Sequence, residues 1–225
     1  MIISKTPLRA SFFGGGTDFA EYYENSRLGY GTVVSTALDM YVYITVNKKF
    51  DDNIRIVYSG NELVSNVEEV KHNIIREAMK IVGIEKGIEI VYMADIPLSN
   101  AGIGLASSSA LAVGVLNALH AYKGEFVSQD ILAREACEIE INRLGQRIGI
   151  QDQFAVAHGG FNQYKFFSNG SVNISPIVCR KDTREKLKNN LMLFYTGTTR
   201  DSRKILDEQS DTIAEKSVML DDLVN

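Results

Sequence analysis

Two cysteines, three prolines, three histidines and no tryptophan stand among 225 residues. Cys137 and Cys179 are too few and too isolated for a disulfide framework or a zinc site, so reduced thiols are expected. No two histidines lie at metal-ligand spacing, and His158 reads as a helix-end residue. No basic segment leads into an apolar one at the start, and no apolar run approaches about eighteen residues. These absences speak against a secretion signal and a membrane partner. The formal net charge is −4 with no Lys/Arg-rich block, which argues against a nucleic-acid surface. Asn169-Gly-Ser171 matches a glycosylation acceptor, but with no secretion signal it reads as chance. What is plentiful is apolar side chain, 45% of the chain, enough for a proper core. A cytoplasmic α/β protein is the expectation.

No internal repeat or low-complexity stretch appears, and strands interleave with helices. Residues 2–13 and 32–58 carry strand-like runs, among them Met40-Tyr-Val-Tyr-Ile-Thr-Val46. Val67 to Val82 has helical spacing at Val70, Ile74, Ile75, Ala78 and Ile81. Gly87 to Ala94 reads as a strand, and residues 128–144 as a helix capped by Ser128 and ended by Gly145. Asn173 to Val178 and Leu191 to Tyr195 read as further strands. The charged stretch Asp182 to Asn190 is the candidate domain boundary. Thr199 to Asn225 reads as a helix start and an amphipathic stretch with no partner after it, as if the chain stopped inside a second domain.

The most informative tract is Pro97 to Ser109, Pro-Leu-Ser-Asn-Ala-Gly-Ile-Gly-Leu-Ala-Ser-Ser-Ser, between a strand and a largely apolar helix. Gly102 and Gly104 let the backbone approach a ligand closely, and a helix N-terminus supplies free N–H groups and a positive dipole end. Ser107, Ser108 and Ser109 add hydroxyl donors or magnesium ligands. The tract suits phosphate. Plain helix capping is the alternative, though three serines after two glycines exceed what capping needs. It is neither a G-x-x-x-x-G-K-[ST] loop nor a G-x-G-x-x-G fingerprint.

Two carboxylates stand out. On a helical wheel Glu140 falls among Ala133, Ala136, Cys137 and Leu144, while Glu135, Glu138 and Asn142 project elsewhere. A carboxylate on an apolar face needs a partner. That partner is either an arginine, with Arg143 and Arg147 available, or a metal ion facing the phosphate loop. Asp152, in Gly149-Ile-Gln-Asp-Gln-Phe154, precedes a short helix and reads either as its N-cap or as a functional group.

The third cluster opens the chain. Thr6-Pro-Leu-Arg-Ala-Ser-Phe-Phe-Gly-Gly-Gly-Thr-Asp-Phe19 runs from a strand into a triple-glycine turn. Arg9 suits anionic oxygen and Asp18 suits hydroxyl donors, so a polyol or phosphate ligand fits. A glycine-rich hairpin with an ordinary ion pair is the alternative.

Together and in this order, these clusters resemble the GHMP superfamily of small-molecule kinases. Arg9 to Asp18 is similar to its substrate-side motif, Gly104-Leu-Ala-Ser-Ser-Ser-Ala110 to its phosphate loop, and Gln151-Asp-Gln153 with Ala157-His-Gly-Gly-Phe-Asn162 to its catalytic-aspartate segment. Within the superfamily the nearest likeness is to the D-glycero-D-manno-heptose 7-phosphate kinases. These also combine the triple-glycine opening, the Gln-Asp-Gln and Gly-Gly-Phe-Asn stretches and a Phe-Tyr-Thr-Gly strand end, here Phe194 to Gly197.

The resemblance implies an α/β (α+β) GHMP kinase fold. Residues 1–184 would form a ribosomal protein S5 domain 2-like N-terminal domain, and residues 185–225 the incomplete start of a ferredoxin-like C-terminal domain. It implies ATP and Mg²⁺ as cofactors and transfer of the γ-phosphoryl group to a sugar hydroxyl, with D-glycero-D-manno-heptose 7-phosphate at C1 as the expected acceptor. Asp152 and Arg9 would be catalytic. Gly102, Gly104, Ala106, Ser107, Ser108 and Ser109 would bind the ATP phosphates, and Ser108 and Glu140 the metal. Gly14, Gly15, Gly16, Thr17, Asp18, Thr198 and Arg200 would bind substrate. A kinase for galactose, fucose or mannose, and a non-catalytic sugar or nucleotide sensor on the same scaffold, are the alternatives. A homodimer is left open.

The chain departs from the family pattern in three places. Ala106 stands where the phosphate loop usually has glycine, and Pro97 lies further from Gly104 than usual. The glycine-rich third motif has no counterpart before Asn225.

Overall fold

A computed structural model describes residues 1–96, 104–194, 210–213 and 216–224 of the chain. Its spine is an unusually long strand, β2 (Tyr30–Lys48), which has a neighbour along each edge. The strand β1 (Ile2–Phe13) runs antiparallel along one edge, from Ile2 opposite Val46 to Phe13 opposite Val34. The other edge is shared. β5 (Ile88–Ala94) pairs with Val42 to Lys48, and β6 (Phe161–Phe167) pairs with Tyr30 to Thr36. β3 (Ile54–Val57), β4 (Asn61–Val64) and β7 (Val172–Pro176) extend the sheet in the order β4-β3-β5-β2-β6-β7, and β3 lies parallel to β5. The mixed α/β architecture is the one expected.

Period-two patterning makes these strands one-sided. On β1, Ser4, Thr6 and Leu8 are buried while Ile3 and Lys5 face out. Helices α2 (Asn73–Val82) and α3 (Ser107–Lys123) cover the buried face. Ile74, Ile75, Ala78, Met79 and Val82 form the inner stripe of α2, and nearly every apolar side chain of α3 is buried. Each fully buried aliphatic side chain contributes about 1.5–3 kcal/mol. Gly114 lets α3 close on the sheet: a Cβ there would lie 3.0 Å from Thr6 Oγ1, and Ser4 Oγ donates to the Gly114 carbonyl at 2.7 Å.

A second core lies around β6. Phe19, Tyr22 and Tyr23 from the α1 region (Ala20–Tyr23) join Phe154, Tyr164 and Phe166 there. Ile213 and Leu220 dock on it, and Tyr22 donates to Asp221 Oδ1 at 2.7 Å. α4 (Gln129–Cys137), α5 (Gln151–His158), α6 (Lys181–Asn189) and α7 (Ser217–Val224) complete the described elements.

Three local expectations change. The helix predicted over 128–144 is α-helical only to Cys137 and continues as a π-helical turn, Glu138–Arg143. The stretch Asp182 to Asn190, the candidate domain boundary, carries the exposed helix α6, because Lys, Arg, Glu and Leu form helix even without a buried face. Residues 191–194 are exposed and not a strand; no described strand pairs with them, and apolar content alone does not make a ladder.

Candidate active site

The phosphate-loop candidate ends at Ala106, the N-cap of α3, and Ser107, Ser108 and Ser109 are the first three helical residues. The N-cap residue Ala106 has no side chain that could cap the helix, and the serines lie inside it, so plain capping by the serines is not what is built. Ala106 has φ 61°, left-handed backbone that ordinarily calls for glycine. Replacing it should relieve strain without opening a cavity. Ala106→Gly is expected to stabilise the chain by about 1 kcal/mol, read as a raised urea midpoint at unchanged slope.

β1 carries Arg9 to the mouth of this loop. Its Nη1 donates to the Gly104 carbonyl at 2.8 Å, while Nε and Nη2 both reach Asp152 Oδ1, at 2.8 and 2.5 Å. Asp152 sits in the first turn of α5, whose N-cap is Ile150, so it is not the cap. The pair is largely shielded, with side-chain exposures of 12% for Arg9 and 27% for Asp152. Both of these side-chain hydrogen bonds fall on Oδ1, and the Asp152 side chain keeps partial exposure. The elements join residues 143 apart in sequence into one arginine–aspartate–loop bridge.

Glu140, in the π-helical turn, is fully buried behind α3. Its Oε2 accepts from Ser109 Oγ at 2.7 Å and from Gln153 Nε2 at 2.6 Å, and the Ser108 hydroxyl also stabilises its charge. Neither arginine considered as its partner fills that role: Arg143 pairs with Glu77 and Glu138, and Arg147 with Ser210 and Asp211. Burial pushes the Glu140 carboxyl above its usual range against these hydrogen bonds, and also raises the nearby Cys137 thiol. Glu140 Oε1 and Gln153 Oε1 are buried without a hydrogen-bond partner. An orphaned carboxylate oxygen beside two serines fits a hard, oxygen-seeking cation. Among the described residues no group of three His, Cys, Asp or Glu forms a cage of its own. That suits Mg²⁺ carried by a nucleotide, which takes one or two carboxylates and draws its other ligands from phosphate and water.

The triple-glycine turn is built differently from expectation. Gly14 lies so close to β2 that a Cβ would fall 1.9 Å from the Thr32 carbonyl oxygen. Thr17 is fully buried; its hydroxyl donates toward the Gly14 and Thr32 carbonyls and accepts from Thr32 N–H at 3.0 Å. Asp18 is 1% exposed, and its carboxylate accepts from Gly16 N–H at 3.0 Å and Gln151 N–H at 3.2 Å. These two side chains, expected to meet acceptor hydroxyls, face inward because the glycines fold the turn flat onto β2. Gly15 is exposed at the opening.

Burial and the neighbouring Asp152 charge raise the Asp18 pKa from 3.8 to about 6. The folded chain therefore holds this proton where the unfolded chain has lost it, and stability falls as pH rises from about 4 to 6. Relative to Asp18→Asn, the parent is expected to lose about 2 kcal/mol between pH 4 and pH 7, measured by urea unfolding at both values.

Sequence reasoning missed Gln153 as a Glu140 partner, and Ser11, whose Oγ donates to Gln151 Oε1 at 2.7 Å. The signal was present in Gln-Asp-Gln, where alternate residues in one helical turn face different neighbours. Gly102, Thr198 and Arg200 lie outside the described residues.

Residues 64–160 match the family model for the GHMP kinases N terminal domain. Over 230 residues the chain is 26% identical to the D-glycero-alpha-D-manno-heptose 7-phosphate kinase of Campylobacter jejuni, covering 96% of this chain and 65% of that protein. It is 29% identical over 239 residues to a galactokinase of Pyrococcus furiosus, covering 97% of this chain and 60% of that one. The chain thus spans under two thirds of the length of these curated relatives. A crystal structure of a D-glycero-D-manno-heptose 1-phosphate kinase from Bacteroides thetaiotaomicron superposes with TM-score 0.79 at 24% identity, covering 98% of this chain and 73% of that one. At that identity the likeness speaks to fold. Among the described residues no helix is long and apolar enough to cross a membrane.

Proposed function

We propose, from the match of residues 64–160 to the GHMP kinases N terminal domain, that the chain is an ATP-dependent sugar kinase acting on a heptose phosphate. The observation that carries the reading is the bridge from Asp152 through Arg9 to the Gly104 carbonyl. It ties the group that would meet an acceptor hydroxyl to the loop that would hold the donor phosphates.

The chemistry is in-line transfer of the γ-phosphoryl group, in which positioning and charge neutralisation do most of the work. The N-terminal end of α3, with the exposed Ser108, receives the phosphates. Magnesium bound with the nucleotide would neutralise phosphate charge, with Glu140 and Ser108 as the groups that hold it. Asp152 Oδ2 orients the acceptor hydroxyl and takes its proton as the new P–O bond forms. A loose transition state asks little of the base, so an alkoxide need not form beforehand. Arg9 fixes Asp152 and brings positive charge to the phosphoryl path. The heptose choice is supported by the Campylobacter relative and by the triple-glycine opening. Cytoplasmic location and a sugar-phosphate substrate belong to the same reading.

ADP release with Mg-ATP against a panel of heptose 7-phosphate, mannose, fucose and galactose tests it. Turnover above the ATPase background with the heptose phosphate is the expected result. Turnover with another sugar only would keep the kinase and replace the substrate. ATP and sugar binding with no turnover on any of them would favour a sensor.

A further inference from the structure

The helix that carries Asp152 has no cap of its own. Ile150 occupies the N-cap position of α5 and offers no side-chain acceptor. The N–H groups at a helix start must nevertheless find partners. Two of those donors go to one residue: Ile150 N–H donates to the Asp18 carbonyl at 3.1 Å, and Gln151 N–H to Asp18 Oδ2 at 3.2 Å. The other oxygen, Oδ1, accepts from Gly16 N–H. Gly149 leaves the room for this contact, since a Cβ there would fall 1.9 Å from Asp18 Oδ2. Asp18 is in turn held by its neighbour Thr17, whose hydroxyl is bonded to β2 on both sides of Thr32. The connection runs unbroken from β2 through Thr17 and Asp18 to the first turn of α5, where Asp152 sits.

We propose that Asp18 is a positioning residue, which caps the Asp152 helix from a distant segment. What it positions rests on the kinase reading above; the cap itself does not. The carboxylate is 1% exposed and accepts a main-chain donor on each oxygen, so its contacts in the fold are to the backbone of the turn and of α5. Its negative charge lies beside the start of α5, where the helix dipole favours it. The adjoining pair Ser11–Gln151 gives α5 a second, exposed tether to β1. Asp152 is thereby located by β1 and by the triple-glycine turn together.

The test compares the full chain with Asp18→Ala and Asp18→Asn, by amide hydrogen exchange over residues 150–154 and by steady-state kinetics. Asp18→Ala is expected to speed exchange at Gln151 by about tenfold, the usual worth of a cap, and to lower kcat by a similar factor while the acceptor KM stays within about twofold. Asp18→Asn keeps an oxygen acceptor and should recover most of both losses. Unchanged exchange at Gln151 in Asp18→Ala would overturn the proposal. So would an acceptor KM raised tenfold with kcat retained, since that marks a hydroxyl contact. If Asp18→Ala does not fold, Asp18→Ser, one bond shorter, carries the same comparison. If the parent chain shows no turnover, the kinase reading fails and the exchange measurement still decides the cap.

Discussion

Asp152→Asn is expected to lower turnover by about a thousandfold and to leave ATP affinity within about threefold of the parent, within the range for loss of a positioned proton acceptor. The side chains are isosteric, and the Asn amide oxygen can still accept from Arg9 Nε and Nη2, so the bridge to Gly104 is kept. What is removed is the negative charge and the basic Oδ2 at the acceptor position. On the proposed reading ATP would meet the start of α3, which this substitution does not touch. ADP release gives kcat and calorimetry with a non-hydrolysable ATP analogue gives Kd. A loss of nucleotide affinity comparable to the loss of rate would place Asp152 on the donor side and end its role as base.

The second large effect is expected at Glu140. Glu140→Gln keeps the volume and can keep the contacts to Ser109 and Gln153, but removes a charge buried completely. Because burial holds the folded carboxyl above its ordinary pKa of 4.5, its stabilising contribution is full below that value and is lost as pH rises through the folded value. At pH 7 the neutral variant should therefore be at least as stable as the parent by thermal unfolding. Function should move the other way. Mg²⁺-dependent nucleotide affinity is expected to fall at least about tenfold, the scale seen when a metal site loses a supporting group. A titration of ATP binding against Mg²⁺ checks this without any need for turnover. Equal magnesium dependence in parent and variant would mean that the orphaned Oε1 has another purpose. A variant both less stable and weaker in nucleotide binding would make Glu140 a structural residue first.

Much of this site was legible in the residues because short-range rules govern it. The strand pattern of residues 2–13 places Arg9 within β1, and glycines before an apolar helix suggest a phosphate loop. The wheel placed Glu140 on a buried face, and it is buried, although the helix passes through a π turn there. Other features were not legible. The choice between arginine and metal for Glu140 depended on where Arg143 and Arg147 point, and they turn to Glu77, Glu138, Ser210 and Asp211. Asp18 was read as a sugar contact from its chemistry and from the family resemblance; the close approach of Gly14 and Gly149 is what turns it inward.

By itself the sequence determined most of the strands and helices, the run of glycine and serine at the start of an apolar helix and the chemistry of the acidic and basic groups. Those properties depend on dihedral preference, side-chain period and ionisation, all local to a few residues. The tertiary structure alone decided which of these groups meet. Arg9 reaches Asp152 and Ser109 reaches Glu140 because β1, α3 and α5 pack in one register against the long strand β2. Contacts across 143 and 31 residues are set by that packing, since no local preference can select a partner so far along the chain.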